Sequence, residues 1–350
     1  MNSLTSPTTA PPTWWPCLPG WALLRGRDLS ESDAAFAAGI ALKSLDDLVR
    51  ADPPWFGCWR DRLALKSAAV AARLLGRGED ENAIRDAVLL TAAGADPGPA
   101  GKLFFATRML TRKTAAIGSP FLKEQAELIA LRWDDALAAA PDLVDSAIQS
   151  GRAAPFAVAD LITAISAVRP DAEVLALGLA DVVLARKLNW PRPVSLLLPE
   201  RFGPSFRTIG ERGRVQSGEP AYPKAICLAL ADGVNAALRS AADIDRRAAR
   251  LLAVRSKIRT KGAEPVIRRL LSEDAVPASV LGSKLSRWAA NRLFVSVEVL
   301  KRIRSAISIA SRGGASTTPD NRSGSSNEFS ALLLAAGVRK GDRGDNAPPP

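Results

Sequence analysis

From residue 31 to residue 309 the apolar positions favour helical spacing: Ala and Leu dominate, β-branched runs are short, and alternation of apolar with polar residues is nearly absent. A strand half-exposed to water needs a period of two, whereas a helix burying one face needs 3.6, so the pattern predicts an all-helical chain. The first helix opens at Ser30-Glu31-Ser32-Asp33, where a hydroxyl and an acid three residues on can satisfy free backbone N–H groups. It is expected to run to about Arg50, to bury Phe36, Ile40, Leu45 and Leu48, and to stop at Asp52-Pro53-Pro54. A second helix, Trp59 to Leu75, turns Leu63, Ala64, Ser67, Val70, Ala71 and Leu74 inward. A third, Asp80 to Ala92, does so with Ile84, Ala87, Val88 and Leu90 or Thr91. Further helices are expected at Ala100 to Lys113, Phe121 to Ala140, Leu143 to Gln149, Phe156 to Val168 and Ala172 to Leu188, separated by Pro or Gly. No fixed sequence period marks a solenoid array.

This punctuation divides the chain into a polar, Pro-rich, disordered lead (1–13), a helical bundle (14–188) and an irregular crossing rich in Pro and Gly (189–221). Next come a long helix with a basic end (222–262, helical to about Ile258), a small module (263–309) and a disordered tail (310–350). The tail opens on the low-complexity run SRGGASTTPDNRSGSSNE, and Phe329 to Val338 is a short apolar patch within it.

Charge changes the picture, because the net +11 is not spread along the chain. Residues 246–313 hold 16 Lys or Arg against four acids, a surplus of +12, while residues 1–245 come to −1 and residues 314–350 to zero. A concentrated positive segment attracts polyanions such as DNA, RNA or anionic lipid, although the same charges also make an ordinary solvated helix face.

The chain has no histidine, which excludes His-activated nucleophiles, His acid-base catalysis and imidazole-bound metals. Cys17, Cys58 and Cys227 lie 41 and 169 positions apart, too sparse for a zinc site or a disulfide scaffold, and fit a reducing compartment; a cytoplasmic protein without cofactor is expected. The first sixteen residues carry no Lys or Arg and no apolar core, so they do not read as a secretory signal. No membrane span is expected either, the best apolar stretch, Leu175 to Ala185, being broken by Asp181.

Three motifs invite chemistry and yield to simpler readings. Gly94-Ala-Asp-Pro-Gly-Pro-Ala-Gly101-Lys102 has too many residues between its outer glycines for a phosphate loop and Leu103 after the lysine, so a turn into a helix is expected. Asp46-Asp47 and Asp134-Asp135 diverge by ~100° on a helix and do not converge on a metal. Trp14, Trp15, Trp21, Trp55 and Trp59 have aromatic faces for stacking bases, but are expected to seal a core edge.

The most informative stretch is Ala263 to Ile303. Pro265 to Leu271 reads as a helix with Val266, Ile267, Leu270 and Leu271 inward, Ser272-Glu273-Asp274 breaks it, Pro277 opens a second, and Ser286 caps a third from Arg287 to Arg304. That is the rhythm of a helix-turn-helix. Ser286, Arg287, Trp288, Asn291 and Arg292 then stand near the start and exposed side of the third helix, where Arg and Asn read guanine and adenine. Lys284, Arg268, Arg269, Lys301 and Arg302 would touch phosphates. A basic three-helix bundle has the same periodicity, and no β-wing follows, since Ser308 to Ser316 lacks alternating apolar residues.

Several phrases resemble a known family. Trp59-Arg-Asp-Arg-Leu-Ala-Leu-Lys-Ser-Ala-Ala69, Ala72-Arg-Leu-Leu-Gly-Arg-Gly-Glu-Asp-Glu81, Ile84-Arg-Asp-Ala87, Asp96-Pro-Gly-Pro-Ala-Gly101, Arg250-Leu-Leu-Ala-Val254 and Lys261-Gly-Ala263 are similar to the bacterial family called domain of unknown function 1403. The resemblance covers about residues 14–305 and implies no activity. It implies an ending of helix-turn-helix plus short wing; Ala289-Ala290-Asn291-Arg292-Leu293-Phe294 resembles the third helix of that ending, and a Ser- and Gly-rich tail replaces the wing. The expected function is non-catalytic binding of double-stranded DNA. The alternatives are a helical scaffold for an acidic protein partner and, third, a histidine-free enzyme.

Overall fold

The first helix starts where the sequence places it. Ser30 Oγ accepts the Asp33 N–H at 3.1 Å while the Asp33 carboxylate accepts the Ser30 N–H at 3.0 Å, a reciprocal cap that satisfies two donors the helix leaves free. In this computed structural model, which describes residues 18–23, 29–92, 94–112, 116–207, 213–255 and 263–274, α1 (Glu31–Ala51) ends at Asp52 in the left-handed region, φ 40°. Its buried face is not the expected one. Phe36 is 65% exposed and Ile40 half-buried, while Ala34, Ala37, Ala38, Ala41, Leu42, Leu45, Leu48 and Val49 are inside. The small residues let another helix lie close against α1, and a phenylalanine on that line would hold the two apart.

Helix α2 (Phe56–Leu74) is buried on most sides, through Phe56, Trp59, Leu63, Leu65, Ala68 and Ala72 among others. Packed against it are α3 (Glu81–Leu89) and α4 (Gly98–Arg112). The Asp80 carboxylate caps α3 by accepting the Ala83 N–H at 2.8 Å. Ile84 is the fully buried residue of α3; of the two alternatives for its inner edge, Leu90 is 83% exposed and Thr91 half-buried.

The single helix expected over Phe121 to Ala140 is broken. Helix α5 (Ser119–Leu128) ends in a turn with Ala130 left-handed at φ 57°, where the Leu131 N–H reaches the Ala126 carbonyl at 2.8 Å. Asp134 then caps the short α6 (Asp135–Ala138) through the Leu137 N–H, and α7 (Ala140–Gln149) follows. No Gly or Pro marks the break; Arg169, which pairs with Asp134 at 2.6 Å and donates to the Arg132 carbonyl at 3.1 Å, fastens the chain that follows it.

Helices α8 (Ala154–Val168) and α9 (Glu173–Lys187) form a central hairpin, with every residue of α9 from Val174 to Ala185 buried. Lys187 Nζ donates to the carbonyls of Ser150, Ile148 and Ala147 at 2.8, 3.3 and 3.4 Å, placing a cation at the C-terminus of α7. The Pro-rich stretch that follows holds α10 (Leu197–Glu200) and a 3₁₀ turn at Pro204–Phe206. It is irregular yet internal, since Val194, Leu196, Leu197, Leu198 and Phe206 are all buried.

Helix α11 (Tyr222–Arg255) makes its most extensive contact with α1. It runs antiparallel to α2, because Trp55 Nε1 donates to Asp245 Oδ1 at 2.8 Å and Trp59 Nε1 to the Ala237 carbonyl at 2.9 Å. Contrary to the expectation that no apolar stretch qualifies, Tyr222–Ala253 is long and apolar enough to cross a bilayer by length and composition. Two thirds of that apolar stretch is buried among the other helices, which is the profile of a core helix. Finally α12 (Ala263–Ser272) packs on α2 and α11. The described residues form an all-helical bundle; their only β feature is an isolated bridge between Arg207 and Arg214.

Candidate nucleic-acid interface

Helix α12 is the expected first helix of the helix-turn-helix, and its inner face is close to the expected one. Val266, Ile267 and Leu271 are buried and Leu270 is half-buried. Two further features seat it. A Cβ on Gly57 would stand 2.5 Å from the Ser272 carbonyl oxygen, so only glycine admits the end of α12 this close to α2. Asp274, its side chain 7% exposed, accepts from Arg62 at 2.6 Å and from Arg85 at 3.2 Å and thereby ties the chain after α12 to both α2 and α3. Burial, followed by the charge of Asp274, pushes the neighbouring Cys58 thiol up to about 11, which makes it an inert core cysteine at neutral pH.

The outer face of α12 carries Arg268, with a 77% exposed side chain 3.5 Å from Glu264, and Arg269, 3.0 Å from Glu273. On α11, Arg246 and Arg247 are exposed and share Asp243 at 3.5 and 2.8 Å. These four cations face water beside weak i,i+3 and i,i+4 partners, which leaves them available to a stronger anion. Of the residues expected to touch nucleic acid, Arg268 and Arg269 are placed in this way. Lys284, Ser286, Arg287, Trp288, Asn291, Arg292, Lys301 and Arg302 lie outside the described residues, as do the expected second and third helices.

The lesser motifs resolve simply. At the glycine-rich segment Asp96 accepts the Gly98 N–H and the Lys102 ammonium, both at 2.8 Å, forming a turn into α4. Asp46 takes Arg50 and the Trp190 indole, and Asp47 takes Lys43, so the pair diverges. Trp55 and Trp59 belong to the core and Trp21 is exposed; Trp14, Trp15 and Cys17 lie outside the described residues. No group of three metal-ligating side chains occurs among the described residues.

The structure also assembles charged clusters from residues 1–245, where counting by segment finds near neutrality. Asp61, buried on α2, accepts both nitrogens of a forked contact with Arg108 at 2.9 and 2.8 Å and a third from Arg112 at 3.4 Å. Beside it Arg60 donates to the Thr111 carbonyl at 2.9 Å; burial, then repulsion from Arg192, brings its guanidinium down to about 10. A second cluster gathers Arg73, Arg201, Arg207 and Arg214 around Phe202 and Phe206. Near it, burial and then Asp232 raise the Glu200 carboxyl to about 6. Only the adjacency of Arg and Phe at 201–202 and 206–207 hints at the second cluster in the sequence.

Asp181, in the middle of α9, is fully enclosed and accepts the Leu196 and Leu197 N–H groups at 3.1 and 3.4 Å, beside a water-sized cavity lined by Ser67, Thr107, Thr111 and Ser195. Burial raises its carboxyl from 3.8 to about 8. Between those values the folded protein keeps a proton that the unfolded chain has released, so Asp181 costs stability progressively as pH rises from 4 to 8, and fully above that. Asp181→Asn is therefore expected to gain on the parent by a few kcal/mol between those pH values in urea unfolding; parallel stability curves would contradict the assignment.

No curated protein and no solved structure matches the chain. The profile of the family described as a protein of unknown function, DUF1403, matches residues 7–308, so the chain belongs to that family.

Proposed function

We propose that this is a non-catalytic, cytoplasmic DNA-binding protein whose bundle holds a basic helix-turn-helix-like ending against double-stranded DNA. The observation that carries the reading is the +12 surplus of residues 246–313, whose first described helix after α11 is seated on the bundle with its arginines outward. A helix fixed by Gly57 and Asp274 gives the following residues a rigid starting point, which sequence reading requires of a helix-turn-helix. Ser286, Arg287, Trp288, Asn291 and Arg292 are the proposed base-edge readers, and Arg268, Arg269, Lys284, Lys301 and Arg302 the phosphate contacts. The sparse free cysteines support a reducing compartment.

The test is fluorescence anisotropy of labelled duplex DNA with the full chain. Five phosphate contacts predict a loss of affinity of about 10²- to 10³-fold between about 50 and 200 mM salt. Arg287→Ala with Arg292→Ala is expected to weaken binding further and to flatten preference among DNA sequences. Affinity that ignores salt, or no binding, would defeat the proposal and leave a helical scaffold for an acidic protein partner as the reading to pursue.

A further inference from the structure

We propose that Arg73, Arg201, Arg207 and Arg214 form a binding site for a phosphate group, at the opposite end of α11 from the basic C-terminal segment. Arg201 is 5% exposed, and its Nε and Nη2 are engaged by Glu173 and, at 3.2 Å, by Gln216. Its Nη1 is buried and has no hydrogen-bond partner. A buried guanidinium N–H left without an acceptor is costly, and an anion is the acceptor that relieves it best. The other three cations converge on the same place. Arg73 stacks on the Phe202 ring at 4.1 Å and Arg214 at 5.1 Å, while Arg201 lies over Phe206 at 5.1 Å. The Arg207–Arg214 bridge and the Val215 N–H to Phe206 carbonyl bond, 2.8 Å, clamp the two chain segments together.

In the Asp61 cluster a buried carboxylate sits among the arginines and pairs directly with two of them, Arg108 and Arg112. Among the described residues around Phe202 the one paired carboxylate is Glu173, which meets Arg201; none pairs with Arg73, Arg207 or Arg214, and aromatic faces hold Arg73 and Arg214 instead. Ring quadrupoles hold cations in position without neutralising them. Consistent with this, burial and then the charges of Arg201, Arg207 and Arg73 lower the Arg214 pKa. Arg73 and Arg207 are exposed and Arg214 half-buried, so the cluster is open to a ligand. Planar guanidinium forks match the oxygens of a phosphate. From Tyr222, beside Phe206, to Arg246 the helical rise is about 36 Å, which makes this site separate from the proposed DNA-reading end.

Thermal unfolding of the full chain in inorganic phosphate, with ionic strength held by chloride, tests the proposal. The expected result is a rise that grows with the logarithm of phosphate concentration and reaches about 5 °C when phosphate is about 100 times its Kd. Arg73→Ala and Arg207→Ala, both at exposed positions, should keep the phosphate-free Tm and weaken phosphate binding about tenfold or more. If the phosphate belongs instead to a nucleic-acid backbone, inorganic phosphate gives no rise. The same two substitutions then each weaken duplex binding by the full chain and lower the salt slope by about one. A phosphate effect equal in parent and variants would be general salting; that outcome, or no response in either arm, overturns the site.

Discussion

Trp59→Ala is expected to lower the stability of the bundle by about 4 kcal/mol. Trp59 is fully buried on α2, its ring lies 5.1 Å from that of Phe56, and its indole N–H reaches the Ala237 carbonyl on α11 at 2.9 Å. Truncation removes apolar contact and also strips a hydrogen bond between two helices, leaving a cavity that rigid neighbours cannot close. Trp59→Phe separates the terms: it keeps most of the volume and loses the bond, and should cost about 1 to 2 kcal/mol. Urea unfolding of both variants reads the difference, and a tryptophan that only covered the surface would leave the midpoint nearly unmoved.

Asp274→Ala should cost about 2 to 3 kcal/mol and detach α12. The full penalty of breaking a buried ion pair is about 3 to 5 kcal/mol, but Arg62 and Arg85 are each about a quarter exposed, so water screens part of the loss. Hydrogen exchange is the sharper readout, because the amides of Ala263–Ser272 should lose protection while those of α9 keep theirs. Combining Asp274→Ala with Arg62→Ala and Arg85→Ala should cost less than the sum of the separate changes, since the two arginines are no longer left facing an empty partner. Uniform loss of protection across all helices would mean that α12 is not a separable element.

Helical character and most helix starts were legible because they rest on local chemistry. The Ser30–Asp33 cap, the Asp80 cap and the proline-opened α5, α7 and α8 follow from side chains within four residues of each helix start. What local chemistry hides is the partner. Phe36 fits an inward stripe by period and is turned out, because an alanine line gives α11 a closer approach. The break at Ala130 carries no Gly or Pro to announce it, and Arg169, 39 residues away, fastens the chain just after it through the Arg132 carbonyl and Asp134. For the proposed interface, the apolar side of α12 was readable as an amphipathic pattern. Its fastening by Gly57 and by Arg62 and Arg85 was not, since the contacts cross about 200 positions of sequence. The arginine cluster at Phe202 was hidden for the same reason: four cations from α2 and from both sides of the Arg207–Arg214 bridge meet only in three dimensions.

The alanine line of α1 has a thermal consequence. Ala34, Ala37, Ala38 and Ala41 have no rotamers to freeze, so that half of the α1 seam forms with almost no loss of side-chain entropy, while each contributes little area to water exclusion. Cohesion there rests more on dispersion contact among small groups, an attraction that does not fade on cooling as the hydrophobic driving force does. The alanine-lined first half of the α1 seam should therefore hold together longest near freezing, when joints built on large side chains, such as those of Leu42, Leu45 and Leu48 further along α1 or that around Trp59, have begun to weaken.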